Sequence, residues 1–382
     1  MSDWQSLPLG DVLERRRDEI DIQDIEIYKR ITIRMNGRGI AIRDLAHGSE
    51  IGTKRQFIAR SGQLILSKID ARNGAFGIVP PECDKAIITG NFWTFDTDAS
   101  RIDARFLNYL TMSPLFVDFC VRASEGTTNR RYLKEPKFLA QRIDLPRLDE
   151  QRRIVTRIQE VASKIENIRT LRKEIATTQR NFLLSVYSKL IRGAKWFQMN
   201  EIAPLVRRHV AIDPLKDYFE LGIRSFGKGT FHKPPILGAS LGTKRVFQIE
   251  PGDLLFNIVF AWEGAVAVVR PEDQGRVGSH RFLSCVPKRE SALPAFLRFH
   301  FLTERGLSDL GLASPGGAGR NRTLGVDALA RMEVPVPPVE RQQWFASLLA
   351  KVEESERLRE IAGEELKALM PSILSKAFRG EL

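Results

Sequence analysis

The sequence predicts an α/β protein built from two tandem mixed α/β domains, each followed by a long helix. Three observations lead to this prediction. Short motifs in the first half of the 382-residue chain recur in the second half. Within each half, apolar segments bounded by glycine alternate with helix-like segments. Each half then ends in a long, highly charged stretch whose apolar residues have helical spacing.

The internal repeat keeps its order and spacing along the whole chain. Three pairs of segments illustrate it: residues 51–57 (IGTKRQF) and 241–247 (LGTKRVF), residues 142–146 (RIDLP) and 331–335 (RMEVP), and residues 188–193 (SKLIRG) and 375–380 (SKAFRG). The offset is about half the chain length, so one domain-sized unit is duplicated. We therefore expect approximate twofold pseudo-symmetry.

Inside each repeat, local patterns predict strands followed by helices. Two segments have apolar residues three and four positions apart, at residues 106–112 and 115–121, and are predicted helices. The predicted strands are short apolar or aromatic runs next to turn residues. They lie at residues 31–33, 64–66, 77–79 and 92–95 in the first half, and at residues 246–249, 254–256 and 266–269 in the second.

The end of the first half predicts an exceptionally long helix. Residues 149–190 contain neither glycine nor proline. Their apolar residues follow a heptad seam: Ile154, Ile158, Val161, Ile165, Ile168, Ile175, Phe182 and Val186. Such a helix is about 60 Å long, which exceeds what core packing in one small domain needs.

The end of the second half predicts a partner helix with a poorer seam. Glu356, Arg359 and Gly363 interrupt its apolar positions, and Pro371 should kink its last turns. Pairing in an antiparallel coiled coil would bury both stripes; the alternative is that each helix covers its own domain. The expected segments are a domain at residues 1–148, a helix at 149–193, a domain at 194–338 and a helix at 339–382.

Composition favours a polyanionic partner. The formal net charge is +12 and the pI is about 9.7, and cations placed near phosphates release condensed counterions. Charge tuned only for solubility is the alternative. Because no apolar run has membrane-spanning length and the N-terminus lacks a leader pattern, we expect a cytoplasmic protein with no membrane association.

Catalytic and metal-binding motifs are missing from the sequence. Cys83, Cys120 and Cys285 are isolated, and the five histidines are scattered, so no metal site is expected. Residues 316–322 are glycine-rich but lack the ending of a nucleotide-binding loop. A methyltransferase motif is absent as well. We therefore expect no cofactor and no catalytic residue.

The residues at which the two helices begin and end carry a family resemblance. The motifs are LPRLDEQRRI at residues 145–154, VPPVERQ at residues 336–342 and SKAFRGEL at residues 375–382. Together they resemble the specificity subunits of type I restriction–modification systems over essentially the full length. The second motif departs from the first, with Glu340-Arg341-Gln342 in place of Glu150-Gln151.

This resemblance implies a non-catalytic subunit that gives a larger enzyme its DNA target. Each globular repeat would be a target recognition domain for one half of a split site on double-stranded DNA. The helices would dock two methyltransferase (modification) subunits, and restriction (translocase–nuclease) subunits would complete the complex. The alternative is a stand-alone DNA-binding or interaction protein of another phage-defence system.

Candidate DNA-binding residues are the basic residues of repeated loops, where backbone and side chains reach phosphates or base edges. The Lys-Arg turns contain Lys54, Arg55, Lys244 and Arg245, for which a solvated turn is the alternative. The second pair of loops contains Asn129, Arg130, Arg131, Arg320, Asn321 and Arg322. Base reading is expected where the halves differ, at Arg34, Arg38, Lys68, Arg72, Arg224 and Lys228.

Candidate subunit-docking residues lie at the beginnings of the two helices. The resemblance implies docking along these helices. The candidates are Glu150, Gln151, Ile154, Ile158, Glu340 and Phe345.

Overall fold

A computed structural model describes residues 4–127, 130–316 and 322–382. The chain divides into two compact units. Unit 1 consists of Met1–Leu171 and Glu360–Leu382, and unit 2 consists of Arg172–Arg359. Each unit therefore holds one globular domain together with a part of both long helices.

The globular part of unit 1 is built on two main sheets. A mixed sheet has the order β3-β6-β9-β4-β5, and an antiparallel sheet has the order β2-β10-β7-β8. Two short antiparallel pairs, β1-β13 and β11-β12, complete it. The strands are β1 (Gln5–Pro8), β2 (Leu13–Arg16), β3 (Glu19–Asp21), β4 (Ile27–Ile33), β5 (Ile40–His47), β6 (Arg55–Ala59), β7 (Leu64–Ser67), β8 (Phe76–Ile78), β9 (Ala86–Ile88), β10 (Phe92–Thr97), β11 (Ser124–Thr127), β12 (Arg130–Leu133) and β13 (Arg142–Leu145).

Helices follow these strands in the first half of the chain. They are α1 (Ala104–Thr111), α2 (Pro114–Arg122), α3 (Glu135–Leu139) and the long α4 (Leu148–Leu190). The carboxylate of Asp103 caps α1 by accepting from the backbone N–H groups of Arg105 and Phe106 at 2.9 and 3.4 Å. Pairing of β1 with β13 places the start of the domain beside the strand that leads into α4.

Unit 2 repeats this plan with shorter strands. Its antiparallel sheet β15-β25-β22-β23 corresponds to β2-β10-β7-β8, and its pair β14-β26 corresponds to β1-β13. The strands are β14 (Lys195–Gln198), β15 (Leu205–Val206), β16 (Arg208–His209), β17 (Asp217–Tyr218), β18 (Leu221–Ile223), β19 (Thr230–His232), β20 (Ile236–Leu237), β21 (Val246–Gln248), β22 (Leu254–Asn257), β23 (Val266–Val268), β24 (Val277–Ser279), β25 (Phe282–Cys285) and β26 (Glu333–Val336).

The second half of the chain also ends in a long helix. Its helices are α5 (Met199–Ile202), α6 (Gly238–Leu241), α7 (Pro294–Phe301), α8 (Glu304–Leu312), α9 (Val326–Arg331) and α10 (Val339–Ala377). The predicted strands and the two predicted short helices are present, with ends shifted by at most two residues except for β4, which begins four residues earlier than predicted. The duplication and the mixed α/β class are therefore confirmed.

In unit 1, the beginning of α4 and the end of α10 are built into the domain core. Ile154 and Ile158 of α4 share one buried cluster with Leu374 of α10 and with Phe378 just beyond it. Phe378 meets Phe106 of α1 edge-on, with ring centroids 5.1 Å apart. These side chains are apolar and almost fully buried, so removing any of them would leave a cavity in the domain.

In unit 2, the opposite ends of the same helices occupy the corresponding place. Tyr187 of α4 and Phe345 of α10 both pack against Phe296, which is the repeat counterpart of Phe106. The Tyr187 hydroxyl lies 2.6 Å from Nδ1 of His300. Burial lowers the pKa of His300 to about 4, so the ring is neutral at pH 7 and forms a hydrogen bond with the hydroxyl.

The two long helices therefore run antiparallel, because the start of one meets the end of the other within each unit. The predicted antiparallel pairing is confirmed, but the apolar stripe of α4 is not buried along its whole length, because Ile168, Ile175 and Phe182 are exposed. The sequence explains the difference: α10 is interrupted by polar residues and glycine over the same stretch, so the apolar positions of α4 lack apolar partners there. Helix α10 continues through Pro371 to Ala377.

Candidate DNA interface and helix anchors

In unit 1, the turn between β4 and β5 is clamped against a second turn. The backbone N–H groups of Asn36 and Gly37 donate to the carbonyls of Asn73 and Gly74 at 2.8 and 3.0 Å. A Cβ on Gly74 would come within 2.8 Å of the Gly37 nitrogen, so only glycine permits this approach. Residues 34–39 and 72–74 are thereby fixed next to one another.

This contact brings several predicted DNA-binding residues of unit 1 together. Arg34 and Arg38 are exposed on the clamped turn, and Arg72 lies on the turn that holds it. Nearby, the Lys68 ammonium sits 5.9 Å from the ring centre of Tyr132, and the N–H of Leu133 donates to the Lys68 carbonyl at 2.9 Å. We call residues 34–39, 68–74 and 131–133 the basic loop surface of unit 1.

Unit 2 forms the same surface from corresponding segments. Phe226 and Gly227 donate their backbone N–H groups to Glu263 and Gly264 at 2.8 and 2.9 Å. Leu324 donates to the Ile258 carbonyl at 2.8 Å, as Leu133 does to Lys68. We call residues 224–229, 258–264 and 322–324 the basic loop surface of unit 2.

Three predicted residues of unit 2 lie on this surface. Arg224 and Lys228 are exposed on the clamped turn. The guanidinium of Arg322 stacks over Trp262, 5.2 Å from the ring centre. The surface therefore combines cations with an accessible aromatic edge, a combination that suits phosphates and bases.

The second pair of predicted loops is described only in part. Asn129, Arg320 and Asn321, together with the side chain of Arg130, lie outside the described residues. Arg131 is described, and its Nη2 donates to the Ser124 carbonyl at 3.2 Å within the β11-β12 hairpin. DNA contact by these loops stays a prediction.

The Lys-Arg turns have different surroundings in the two units. In unit 1, Lys54 pairs with Asp24 at 2.5 Å and donates to the Gly48 carbonyl at 2.7 Å. Arg55 donates to Glu19 at 2.9 Å. These partners favour the alternative interpretation of a turn held by the fold, although both side chains keep substantial exposure.

In unit 2, Lys244 and Arg245 are exposed and make no ion pair within the described part of the chain. Lys244 lines a cleft of about 360 Å³ with Lys233, His280 and Arg281. A smaller cleft of about 220 Å³ lies at the same place in unit 1, next to Thr53. Within the described residues, the two cations of the repeated motif therefore have no carboxylate partner in unit 2, whereas in unit 1 they pair with Asp24 and Glu19.

A buried glutamine anchors each long helix to its own domain. Gln151 accepts from the Asp103 N–H at 2.8 Å and donates to the carbonyls of Arg101 and Pro146, both at 2.8 Å. Its side chain is fully buried. These three hydrogen bonds give both the oxygen and the nitrogen of the carboxamide a partner, as buried polar groups require.

Gln342 repeats this anchor in unit 2. It accepts from the Leu293 N–H at 2.9 Å and donates to the carbonyls of Ser291 and Pro337 at 2.9 and 2.7 Å. Gln151 and Gln342 are each the fourth residue of their helix. The glutamine, rather than the Glu-Gln pair, is therefore the repeated feature, and this explains the departure between the two motifs.

Most of the predicted docking residues prove to be inaccessible. Gln151, Ile154, Ile158 and Phe345 are buried within their own units, so they hold the helices in place instead of presenting a surface to a partner. Heptad spacing alone does not distinguish these two roles. Glu150, which pairs with Arg153 at 2.6 Å, and the exposed Glu340 remain accessible at the helix starts.

Comparisons with known proteins agree with this architecture. Residues 1–177 match the family model described as type I restriction modification DNA specificity domain. The matched segment contains the globular domain of the first half and most of α4. One relative is the type I restriction enzyme MjaVIII specificity subunit of Methanocaldococcus jannaschii, 26% identical over 140 residues. That match spans 36% of this chain and 33% of the relative, so the chain covers about a third of its length.

Two solved structures share this fold over nearly the whole chain. The HsdS subunit from Thermoanaerobacter tengcongensis has a TM-score of 0.62 at 20% identity, covering 99% of this chain and 97% of that one. A chain from a study of assembly and conformational transition of the type I R-M system has a TM-score of 0.70 at 21% identity, covering 99% and 98%. The predicted fold of two tandem mixed α/β domains with long helices is confirmed by these structures.

Sequence patterns did not identify three candidate residues of unit 2, which are Phe226, His280 and Arg281. Phe226 lies at the centre of the clamped turn of unit 2. Sequence patterns alone would place an aromatic residue next to glycine in a hydrophobic core. His280 and Arg281 follow β24 without any basic motif. Alignment of the two repeats is the signal that finds Phe226, since it falls opposite Asn36.

Among the described residues, no helix combines the length and apolarity that crossing a membrane requires.

We predict that replacing the anchor glutamine destabilises unit 2. Gln342→Ala leaves the Leu293 N–H and two carbonyls without partners in a buried position, which should lower the free energy of unfolding by about 3 kcal/mol. Urea unfolding followed by tryptophan fluorescence measures this loss. The neighbouring exposed Gln343 provides the matched control, and Gln343→Ala should change stability by less than about 0.5 kcal/mol. Equal midpoints for the two variants would contradict the anchor.

Proposed function

We propose that this chain reads a bipartite sequence on double-stranded DNA and gives that target to the methyltransferase subunits of a type I restriction–modification complex. Each unit would contact one half-site through its basic loop surface. The observation that supports this most is that both units clamp a turn carrying two exposed cations in the same way. Cations at equivalent places suit phosphates, which are common to every half-site, whereas neighbouring residues that differ suit the bases.

The cations of the two surfaces are disposed for phosphate contact. Arg38 in unit 1 and Lys228 in unit 2 occupy equivalent positions, and both are exposed. Neither makes an ion pair within the described residues, in contrast to Lys54 and Arg55. An unpaired exposed cation costs little to bring to a phosphate, because no internal partner has to be given up.

We predict that removing these two cations weakens DNA binding in a salt-dependent way. The association constant K for DNA falls with salt concentration. In the double variant R38A/K228A, the magnitude of the slope of log K against log salt should decrease by about 2, since each phosphate contact contributes about 0.9. Equilibrium binding of the assembled complex to a duplex carrying its methylated motif, measured at several salt concentrations, tests this. Arg289 is also exposed and unpaired in the described part of the chain, and R289A is the control. Equal slopes for R38A/K228A and R289A would contradict the assignment.

The long helices are the proposed docking surface for two methyltransferase subunits, to which restriction subunits would be added. Because Gln151, Ile154, Ile158 and Phe345 are buried, this role falls to exposed positions of the helices. Exposed apolar side chains recur on both helices: Ile168, Leu171, Ile361 and Leu369 in unit 1, and Ile175, Phe182, Trp344 and Leu358 in unit 2. Exposed apolar residues at this density favour a protein partner over solvent.

We predict that Trp344 is an anchor of this docking surface. It is 57% exposed although it directly precedes the buried Phe345, and truncation of an interfacial tryptophan typically costs at least 2 kcal/mol. Trp344→Ala should therefore weaken the affinity for the methyltransferase at least about 10-fold while leaving the unfolding midpoint unchanged. Titration of the purified chain with methyltransferase measures the affinity. Leu237→Ala, on a strand with 45% exposure, is the control, and equal affinities would contradict docking at Trp344.

A further inference from the structure

Phe226 combines two properties that rarely occur together. Its side chain is 74% exposed, and its backbone is left-handed, with φ of 62°. A bulky residue is disfavoured in this conformation because its Cβ crowds the carbonyl oxygen. The counterpart in unit 1 is Asn36 with φ of 60°, a residue type that tolerates the conformation. The backbone is thus conserved between the repeats, whereas only unit 2 places an aromatic ring on it.

The turn that carries Phe226 is held from several sides. Besides the backbone hydrogen bonds to Glu263 and Gly264, Arg298 donates to the Gly227 carbonyl at 2.8 Å. A Cβ on Gly227 would lie 2.7 Å from Leu302, so the turn packs tightly on α7. Strained backbone persists where the surroundings fix it, and it concentrates at sites that bind ligands. The ring is therefore presented to solvent by a rigid support.

The charges around the ring favour a nucleic acid. Arg224 and Lys228 flank it on the turn, both exposed, and residues 224–229 contain no carboxylate. Three carboxylates line the neighbouring groove, Glu263, Glu353 and Glu356. Glu263 accepts from the Ser225 hydroxyl at 3.1 Å, and Glu353 pairs with Arg298 at 2.7 Å. Cations reach phosphates on either side of an apolar ring in proteins that insert a wedge into stacked bases or stack on an exposed base.

We propose that Phe226 stacks against a base in the half-site read by unit 2, while Arg224 and Lys228 contact the flanking phosphates. This inference rests on the proposed function. Unit 1 presents Asn36 at the same place, so its half-site is contacted without an aromatic stack. The two half-sites are then distinguished in part by how far their bases are unstacked, because the cost of unstacking depends on the base step.

The test uses the full chain assembled with its methyltransferase subunits. The probe is a duplex with the motif methylated in the native strain, carrying 2-aminopurine at successive positions of both half-sites. The wild-type complex should raise the 2-aminopurine fluorescence at one step of one half-site. Phe226→Asn, which restores the residue of unit 1 and relieves the backbone, should abolish this signal and weaken binding about 10-fold without lowering the melting temperature. Phe226→Tyr should retain both the signal and the affinity.

Leu215→Ala is the matched control, because Leu215 is 88% exposed in the same unit and has no strained backbone. It should change neither signal nor affinity. Wild-type fluorescence and affinity in the Phe226→Asn complex would overturn the inference alone. Loss of methyltransferase assembly in that variant would also overturn it, since the ring would then belong to a protein interface beside the neighbouring groove of about 600 Å³. A wild-type complex that binds none of the duplexes would overturn the proposed function itself.

Discussion

The buried carboxamide at the fourth position of each long helix is the interaction on which the rest of the structure depends. Gln151 and Gln342 each join three backbone segments: the segment that enters the long helix, the loop before a short helix (α1 or α7), and the N-cap of that short helix. A glutamine satisfied in this way fixes direction as well as position, since its donor and acceptor are not interchangeable. The long helix consequently leaves its domain at one defined angle. Apolar contacts such as Phe106 with Phe378 then fix the returning helix to the same domain.

This anchoring separates two roles along each helix. Some apolar residues near the helix ends, such as Ile154 and Phe345, are buried in the domain cores. Others along the helices, such as Ile175 and Trp344, stay exposed at the surface. The basic loop surfaces lie on turns held by backbone hydrogen bonds, so the proposed base reading would need little ordering of the chain on binding. In this proposal, DNA recognition and subunit assembly use different parts of the molecule.

The sequence was sufficient to predict the duplication, the mixed domains and the antiparallel helices, because repeats and periodic apolar residues are direct consequences of burial. It was insufficient where one residue type serves two environments. Gln151 has the same local pattern whether it is buried or exposed, and only the tertiary partners decide. Lys54 and Lys244 share a motif, yet Asp24 neutralises one of them through a contact 30 residues away. Phe226 shows the converse case, in which an aromatic residue expected in a core is held outside by its backbone.

The central claim is that each unit reads its own half-site and that two continuous helices set the distance between the half-sites. Methylation-aware sequencing of a strain expressing the chain with its partner subunits tests it, using a variant with four residues inserted in the exposed middle of each long helix. One extra turn adds about 6 Å, and DNA rises about 3.4 Å per base pair. The account predicts that both half-sites keep their sequences while the spacer between them grows by about two base pairs. A functional variant that methylates the original spacer would contradict it.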